Sequence, residues 1–395
     1  MSKDGSKTLR EGFTTGSAVT SAATGALIAL LDAPIPKSLS IPLPPSGTGL
    51  CPNGRITVPL KFCQRIVENG NKLGYAGVVK DAGDDPDVTD GMLLTVHVAQ
   101  NPTHFPAQFH HECRSVLDLG DGIWLYAGPG IGVATMPGLS VAVGEMAVNP
   151  APRVQIAAAL KEMAQLLGYH GSIHCRLTAF EGEERARRTL NPRLGILGGI
   201  SILGTKGTVQ PFSTEAWKAS IKQALGVAKA QGSQTICLTT GRRSEDAMRT
   251  LYPDLNKSAF IQAADHAGFA VTEASSIGFS RLLWGCFPGK LLKLAQGQID
   301  THARESAPDF SLFARYCREA GLSEERTVEI STLPTVVGAL DIVRKVDTVI
   351  YEKIISIMAE NAARTIASMC PGGARPEIHL HAFDMWGNLL ATNNR

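Results

Sequence analysis

Residues 80–90 place five carboxylates in one short segment that is rich in turn-forming residues. The segment reads Lys-Asp-Ala-Gly-Asp-Asp-Pro-Asp-Val-Thr-Asp and directly follows a strand-like apolar run. Closely spaced carboxylates repel one another unless solvent, a cation or hydrogen-bond donors offset their charge. The sequence therefore leaves two interpretations open, which are a fully solvated loop and a loop that serves a ligand through Asp81, Asp84, Asp85 and Asp87.

A second candidate site lies where an expected helix begins. Thr14, Thr15 and Ser17 offer capping oxygens to a small-residue helix that the apolar spacing predicts over residues 14–31. The first turn of a helix has unpaired N–H groups and a positive dipole end, so this segment could bind a carboxylate. An ordinary capped helix is the alternative.

Glycine-containing loops follow three expected strands in the second half of the chain, at residues 204–207, 240–243 and 285–290. In open α/β sheets the ligand crevice lies at the carboxyl ends of the strands, so we expect these loops to face one pocket. The third loop resembles a phosphate loop, but its glycine spacing is one residue short and Leu291 replaces the Ser or Thr that would bind magnesium. ATP hydrolysis is therefore not predicted.

Metal ligation is not predicted either. Residues 110–113 read His-His-Glu-Cys, but adjacent side chains on a strand would point to opposite faces. His379 and His381 would share a strand face, where cross-strand packing is the favoured interpretation.

Length and composition indicate the class of protein. With 395 residues, 44% of them apolar, the chain is long enough for two domains and is typical of a compact enzyme. The net charge of +2 argues against a nucleic-acid surface. Eight scattered cysteines without a Cys-x-x-Cys pair favour a reducing cytoplasm, and no apolar run approaches the roughly 18 residues of a membrane span. The oligomeric state is left open.

Periodicity predicts three regions. Strand patterns and one amphipathic helix predict an α+β N-terminal domain over residues 1–190 that carries the acidic loop. Alternating strands and helices predict a Rossmann-like α/β domain with a parallel sheet over residues 191–305. Residues 306–395 are predicted to form a mostly helical C-terminal segment that packs on either domain. The expected strands lie at residues 39–43, 56–67, 74–79, 92–98, 123–126, 172–178, 200–203, 235–239, 281–284 and 377–382. The expected helices after the first lie at residues 153–167, 213–230, 244–251, 259–275 and 289–294.

Several unusual motifs occur in order between about residue 9 and about residue 305. They are Thr-Thr-Gly-Ser at residues 14–17, the acidic motif at residues 79–89, Gly-Glu-Met-Ala-Val-Asn-Pro at residues 144–150, the Asn-Pro-Arg and Gly-Gly motifs within residues 189–205, and Gly-Lys-Leu-Leu-Lys-Leu-Ala at residues 289–295. Together they resemble the cobalt-precorrin-5B C1-methyltransferase family of anaerobic cobalamin biosynthesis. The chain departs from the pattern of that family at Met136, Cys286, Phe287 and Asp90.

The resemblance implies transfer of a methyl group from S-adenosylmethionine to ring carbon C1 of a cobalt-containing corrin precursor, which gives cobalt-precorrin-6A. Cobalt enters only as part of the substrate. Such a displacement requires alignment of two reactants and exclusion of water rather than a nucleophilic side chain. A nicotinamide-dependent oxidoreductase and a noncatalytic tetrapyrrole carrier remain alternatives.

The implied reaction assigns roles to the candidate residues. Carboxylates could hold the positive donor or assist proton loss at the macrocycle, whereas arginines and helix N-termini suit the acetate and propionate groups of the acceptor. The predicted catalytic residues are Asp81, Asp84, Asp85 and Asp87. The predicted substrate-binding residues are Arg10, Thr14, Thr15, Ser17, Arg153, Asn191, Arg193 and Arg242. The predicted donor-binding residues are Gly199, Gly204, Thr205, Thr240, Gly241, Gly285, Gly289 and Lys290.

The donor pocket is inferred from the positions of these loops, because the second domain lacks the usual Gly-rich donor loop of Rossmann methyltransferases. We expect the acidic loop to close over the cleft.

Overall fold

The chain forms two compact units, Met1–Ser213 and Thr214–Arg395. The computed structural model describes residues 9–45, 54–302, 307–372 and 376–394, so Cys51, Ala303 and Arg304 lie outside the described residues. The first unit extends past the predicted boundary after residue 190, because short strands within residues 196–209 pair with strands of that unit. No helix in the described part of the chain is long and apolar enough to cross a membrane.

Unit 1, residues 1–213, is built on a mixed sheet. Its helices are α1 (Thr15–Leu30), α2 (Ala107–Glu112), α3 (Pro150–Leu166) and α4 (Gly182–Ala186). Its strands are β1 (Gly12–Phe13), β2 (Ser38–Pro42), β3 (Arg55–Pro59), β4 (Phe62–Glu68), β5 (Asn71–Val79), β6 (Leu93–Ala99), β7 (Val116–Asp118), β8 (Ile123–Ala127), β9 (Gly130–Ile131), β10 (Val133–Ala134), β11 (Ile173–Ala179), β12 (Ile196–Leu197), β13 (Gly199–Ile200) and β14 (Thr208–Val209).

Six of these strands form the main sheet within the described residues, in the order β4-β5-β6-β11-β8-β7. The β8 and β11 strands are parallel, and the other neighbours are antiparallel. Helix α1 is buried along its whole length, and its small residues let it approach the sheet closely. A Cβ atom on Gly74 of β5 would lie 1.7 Å from the carbonyl oxygen of Ala26. The glycine is therefore required by the contact between helix and sheet.

Unit 2, residues 214–395, combines a sheet with a helical C-terminal segment. Its helices are α5 (Thr214–Ala230), α6 (Arg242–Leu251), α7 (Ala267–Ile277), α8 (Pro288–Ala295), α9 (Phe310–Glu319), α10 (Glu324–Ser331), α11 (Val336–Val346) and α12 (Thr348–Met369). Its strands are β15 (Thr235–Thr239), β16 (Phe260–Gln262), β17 (Arg281–Cys286), β18 (Glu377–Phe383) and β19 (Leu389–Asn394).

The unit 2 sheet has the order β16-β15-β17-β18-β19 over the residues that the structure describes. The first four strands are parallel and β19 is antiparallel. The parallel sheet and the helical segment agree with the prediction of a mixed α/β fold, but the strand order is 2-1-3-4-5 along the chain, whereas the Rossmann fold has the order 3-2-1-4-5-6. A Rossmann-like domain is therefore not confirmed.

Most predicted elements are confirmed, but three differ from the structure. The expected helix at residues 259–275 is wrong in its first half, which forms a short 3-10 helix (Lys257–Ala259) and β16 before α7 begins. The expected strand at residues 56–67 is two strands, β3 and β4. The strand expected at residues 200–203 is only the two-residue β13, and it pairs with β9 of unit 1 rather than with the parallel sheet.

Candidate functional site

Lys80 compensates one carboxylate of the acidic loop, residues 80–90. Its side chain is 1% exposed, and its Nζ atom donates a hydrogen bond to Oδ2 of Asp87 at 2.6 Å. The other oxygen of Asp87 accepts hydrogen bonds from the N–H and the hydroxyl of Thr89, both at 2.7 Å. Burial alone would raise the pKa of Asp87, but the Lys80 ammonium and the Thr89 donors outweigh burial and lower that pKa. Asp87 is therefore ionised at neutral pH and fixed within the loop.

Arg10 compensates the negative charge of a second carboxylate in the acidic loop, that of Asp81. Its guanidinium forms an ion pair with Oδ2 of Asp81, and Oδ1 of Asp81 accepts the N–H of Gly83 at 2.9 Å. The hydrogen bond from Arg10 is the largest cause of the lowered pKa of Asp81. The backbone N–H of Arg10 donates to Oδ2 of Asp84 at 2.8 Å. Arg10, a predicted substrate-binding residue, thus holds the acidic loop, and its role towards substrate stays a prediction.

Backbone groups bind the remaining carboxylates of the loop. Oδ1 of Asp85 accepts the N–H of Phe212 at 2.9 Å, and Oδ1 of Asp90 accepts the N–H of Ala82 at 2.8 Å. Arg185 donates to the carbonyl oxygen of Asp90 at 2.7 Å. The repulsion that the sequence predicts is therefore offset by two cations and by backbone donors.

These contacts divide the four predicted catalytic residues into two pairs. In Asp81 and Asp87 both carboxylate oxygens accept hydrogen bonds from the chain. In Asp84 and Asp85 one oxygen accepts a backbone N–H, and the other makes no hydrogen bond to any residue that the structure describes. One pair therefore holds the loop in shape, and the other pair has an oxygen available to a ligand.

The N-terminus of α1 is covered by the chain itself. The hydroxyl of Thr15 accepts the N–H of Leu203 at 2.9 Å, and the hydroxyl of Ser17 donates to the carbonyl of Gly207 at 2.7 Å. The hydroxyl of Thr14 caps the helix by accepting the N–H of Ser17 at 3.2 Å. All three hydroxyl-bearing residues are buried. The contacts are those of an ordinary capped helix, so we leave Thr14, Thr15 and Ser17 out of the proposed site.

Three predicted donor-binding residues, Gly199, Gly204 and Thr205, belong to unit 1. A Cβ atom on Gly199 would lie 2.0 Å from the carbonyl oxygen of Gly130, because β13 pairs closely with β9. Residues 203–207 bond to the first turn of α1. The expectation that loop 204–207 lies at the carboxyl edge of the parallel sheet is therefore wrong, since this loop follows no strand of that sheet.

Two other predicted substrate-binding residues of unit 1, Asn191 and Arg153, bond to residues outside the acidic loop. Asn191 is buried and donates to the carbonyl oxygen of Gly199 at 3.1 Å. Arg153 forms an ion pair with Glu145 at 2.7 Å, which lowers the pKa of that carboxyl group. Arg193 is half-buried. Their predicted roles towards substrate stay predictions.

The parallel strands of unit 2 bring several loops to one edge of the sheet. Thr240 and Gly241 follow β15, and Phe287 follows β17, its neighbour in the sheet. Helix α6 packs on one face, against Cys237 and Leu283, whereas α7 and α8 pack on the opposite face. In a sheet of this strand order the helices change face between the first and third strands, which opens a crevice beyond their carboxyl ends. Thr240, Gly241 and Phe287 lie at the edge where such a crevice is expected.

The remaining predicted donor-binding residues of this edge have different local roles. Gly285 is buried in β17, where a Cβ atom would lie 2.4 Å from Cγ of Met248, so packing against α6 requires this glycine. Gly289 lies in the first turn of α8, and no atom lies within 4 Å of a Cβ built on it. Lys290 forms an ion pair with Asp265. Arg242, a predicted substrate-binding residue, is exposed at the start of α6.

Unit 2 contains a groove of about 610 Å³ that was not predicted from the sequence. We call it the Trp386 groove, and it lies between α6 on one side and Phe287 and residues 383–389 on the other. Trp386 is 78% exposed, and Asp246 and Arg243 of α6 also line the groove. One signal was present in the sequence, because the turn 384–388 reads Asp-Met-Trp-Gly-Asn directly after an apolar strand.

The positions that depart from the pattern of the resembled family take part in packing. Cys286 is fully buried, and burial raises the pKa of its thiol to about 12. The side chain of Met136 contacts Gly195, and Phe287 lines the Trp386 groove.

The histidines fit structural roles. His381 is buried and lies 2.8 Å from the hydroxyl of Tyr252 and 3.2 Å from that of Thr392. His110 and Glu112 lie on helix α2. The argument against a metal site at residues 110–113 assumed a strand, and that assumption is wrong. Across the described ranges, no group of three or more His, Cys, Asp and Glu side chains could hold a metal ion.

The fold and the site define the class of protein. The chain is a mixed α/β protein of two units, and the sheet edge of the second unit is of the kind that binds small ligands in open α/β sheets. A model of the CbiD family matches residues 2–211, and a model of the CbiD C-terminal domain matches residues 300–394. The chain belongs to the CbiD family.

Relatives match the chain over almost its whole length. It is 47% identical to the cobalt-precorrin-5B C(1)-methyltransferase of Nitratidesulfovibrio vulgaris over 97% of this chain and 92% of the relative. It is 37% identical to the protein of the same name from Geobacillus kaustophilus, over 93% of this chain and 90% of the relative. The protein of that name from Burkholderia multivorans is 36% identical over 97% and 96%.

A solved structure also matches. The cobalamin biosynthesis protein (cbiD) from Archaeoglobus fulgidus is 26% identical, with a TM-score of 0.37 over 75% of this chain and 84% of that chain.

Proposed function

We propose that this chain transfers a methyl group from S-adenosylmethionine to carbon C1 of cobalt-precorrin-5B and gives cobalt-precorrin-6A. The observation that carries this proposal is the 47% identity to a cobalt-precorrin-5B C(1)-methyltransferase over 97% of the chain. The motifs at residues 14–17, 79–89 and 189–205 lie within the region matched by the CbiD model, which extends from residue 2 to residue 211. Cobalt belongs to the substrate in this proposal.

The donor end of the proposed site lies at the carboxyl edge of the unit 2 sheet. The change of helix face between β15 and β17 supports this placement, as do the loops at Thr240, Gly241 and Phe287. The open space at Gly289 lets a ligand approach the first turn of α8. The N–H groups of Lys290 and Leu291 bond to the carbonyl oxygen of Phe287, and Pro288 has no N–H, so a ligand there would meet the N–H of Gly289. We also propose that this unit contains a doubly wound sheet of strand order 2-1-3-4-5 whose fifth strand, β19, is antiparallel.

The donor, when bound, supplies an electrophilic methyl group on a positive sulfonium. The chain then has to hold both reactants in line and exclude water, and it needs no attacking side chain. Exposed carboxylates are suited to hold positive charge or to accept the proton that leaves the ring. We assign this role to Asp84 and Asp85, each of which has one oxygen without a hydrogen bond to a described residue. Asp81 and Asp87 act as positioning residues, because Arg10 and Lys80 bind them.

The acceptor carries several carboxylates, which guanidinium groups bind well. We propose Arg193 for such a contact within unit 1, and Arg242 for a separate contact within unit 2. We further propose that the protein works in a reducing cytoplasm without a nucleic-acid or membrane partner, as its charge balance and thiol content favour.

Label transfer tests the proposed function. Purified protein is incubated with cobalt-precorrin-5B and S-adenosylmethionine that carries an isotopically labelled methyl group, and the corrin fraction is counted. We expect label in that fraction with the wild-type protein and little with the Asp85→Asn variant. Tight binding of the corrin without any label transfer would contradict the proposal and favour a noncatalytic carrier.

A further inference from the structure

The Trp386 groove combines features that packing of unit 2 does not require. Among the large apolar side chains that the structure describes, Trp386 is the most exposed, at 78%, although aromatic side chains of this size are normally largely buried. The groove volume of about 610 Å³ lies within the usual range of small-molecule sites, roughly 300–1,000 Å³. An aromatic face beside such a groove is typical of a site that binds a flat ring.

The turn that carries Trp386 is held firmly. Oδ1 of Asp384 accepts the N–H groups of Trp386 at 2.9 Å and of Asn388 at 2.8 Å, and Oδ2 accepts the side-chain amide of Asn388 at 2.8 Å. A guanidinium N–H of Arg243 donates to the carbonyl oxygen of Met385, which ties the turn to α6. The indole is therefore presented by a preformed turn, so a ligand would not have to order this part of the site.

The charged side chains that line the groove indicate which kind of ligand it can bind. Arg243 is already bonded to Met385, and its guanidinium lies 5.4 Å from the ring centroid of Phe287. Asp246 is exposed on α6, and its carboxylate makes no ion pair or hydrogen bond with a described residue. An unpaired carboxylate disfavours the polyanionic macrocycle and favours a ligand that offers hydroxyl or amino donors.

The position of the groove adds a third observation. Phe287 directly follows β17, Phe383 ends β18, and α6 directly follows the loop after β15. The groove therefore begins at the same sheet edge as the crevice described above and extends along α6.

We propose that the Trp386 groove binds the adenosyl group of the methyl donor, with the purine ring stacked on Trp386 and the ribose hydroxyls donating to Asp246. This assignment rests on the proposed function and deepens it, because it places one part of the donor on named side chains. The indole supplies a stacking surface, and the carboxylate supplies two acceptor atoms for a vicinal diol. Arg243 acts as a positioning residue for the turn.

Binding of S-adenosylhomocysteine to the full-length protein tests this assignment without turnover. Titration calorimetry on wild type, Trp386→Ala, Trp386→Phe and Asp246→Asn gives the affinities. Loss of stacking predicts roughly tenfold to hundredfold weaker binding for Trp386→Ala and a smaller loss for Trp386→Phe. Loss of charged acceptors predicts at least about tenfold weaker binding for Asp246→Asn.

Trp217→Ala is the matched control, because Trp217 is also exposed, at 45%, but lies on α5 outside the groove. We expect this variant to bind like wild type and to keep the ligand-induced quenching of tryptophan fluorescence, whereas the quenching should disappear in Trp386→Ala and in Trp386→Phe, which both lack the indole. Wild-type affinity in Trp386→Ala and in Asp246→Asn, with melting temperatures unchanged, would overturn the assignment and leave the proposed function intact. Failure of the wild-type protein itself to bind the ligand would contradict the donor in the proposed function and the groove assignment with it.

Discussion

Replacing Lys80 by Met should strongly destabilise unit 1 while leaving its shape unchanged. Lys80 is the buried member of an ion pair whose other member, Asp87, has a side chain that is 27% exposed. Met fills a similar volume without charge, so the variant removes the cation and leaves the Asp87 carboxylate with its Thr89 donors alone. Removing one partner of a buried pair costs about 3–5 kcal/mol.

The partial exposure of Asp87 places the expected cost at the lower end, about 3 kcal/mol, because water can solvate the remaining carboxylate. For a unit of this size, 1 kcal/mol corresponds to roughly 2–4 °C in melting temperature, so we expect a loss of about 6–12 °C. The pKa of Asp87 is lowered in the folded chain. The ion pair therefore contributes fully above the ordinary carboxyl pKa of about 4, and the difference from wild type should shrink as the pH falls through the lowered pKa.

Calorimetric melting at neutral pH and in acid measures this effect. The double variant Lys80→Met/Asp87→Asn carries no charge at either position and should recover a large part of the loss, since Asn can still accept from Thr89. Lys61→Met, which removes an exposed lysine of the same unit, should change stability by no more than about 0.5 kcal/mol. A Lys80→Met variant as stable as Lys61→Met would refute the reasoning that the acidic loop depends on an internal cation.

Three further predictions concern single residues. Asp85→Asn should lower turnover by at least tenfold and leave the melting temperature within a few degrees of wild type, because the side chain is only half-buried and Asn can still accept from Phe212. Full activity would show that this carboxylate is dispensable. Gly74→Ala should give an unstable or insoluble protein, as judged by melting and yield, because its Cβ would overlap the carbonyl of Ala26. Gly289→Ala should retain or slightly raise stability and weaken donor binding. Equal stability of the two variants would contradict the close contact between helix α1 and the sheet. Burial lowers the pKa of His381 to about 4, so the neutral form is favoured in the folded chain. The contribution of His381 to stability should be present above about pH 6.5 and should decline between pH 6.5 and pH 4. A His381→Gln variant whose melting temperature depends on pH as that of wild type does would contradict this prediction.

Elements with a strong local pattern were predictable from the sequence. The alternation at residues 123–126 and the helical spacing at residues 153–167 match β8 and α3 within a few residues. The start of the 259–275 segment was not predictable, because β16 has only three residues and lies within an Ala-rich run that also suits a helix. Its strand state depends on pairing with β15, which is a tertiary contact.

The contacts of the acidic loop could also be predicted only in part from the sequence. Its concentration of carboxylates marked it as a segment that needs compensation, and Lys80 lies beside it in the sequence. The second cation, Arg10, is 71 residues away from Asp81, so only the fold reveals that this pair exists. Thr15 and Ser17 suited an anion site by type, but residues 203–207 cover that helix end, which local spacing does not reveal.

The Trp386 groove was missed for a related reason. A single tryptophan in a turn carries no periodic signal, and its exposure depends on the bonds of Asp384 and Arg243 to that turn. The predicted closure of the acidic loop over a cleft stays a prediction.

The most direct test of the central claim is the position of the transferred carbon. Reaction of the wild-type protein with cobalt-precorrin-5B and S-adenosylmethionine carrying a carbon-13 methyl group, followed by nuclear magnetic resonance of the product, locates that carbon. We predict a single enriched methyl group on ring carbon C1. Enrichment at another ring position, or a corrin without enrichment while the donor is consumed, would contradict the account.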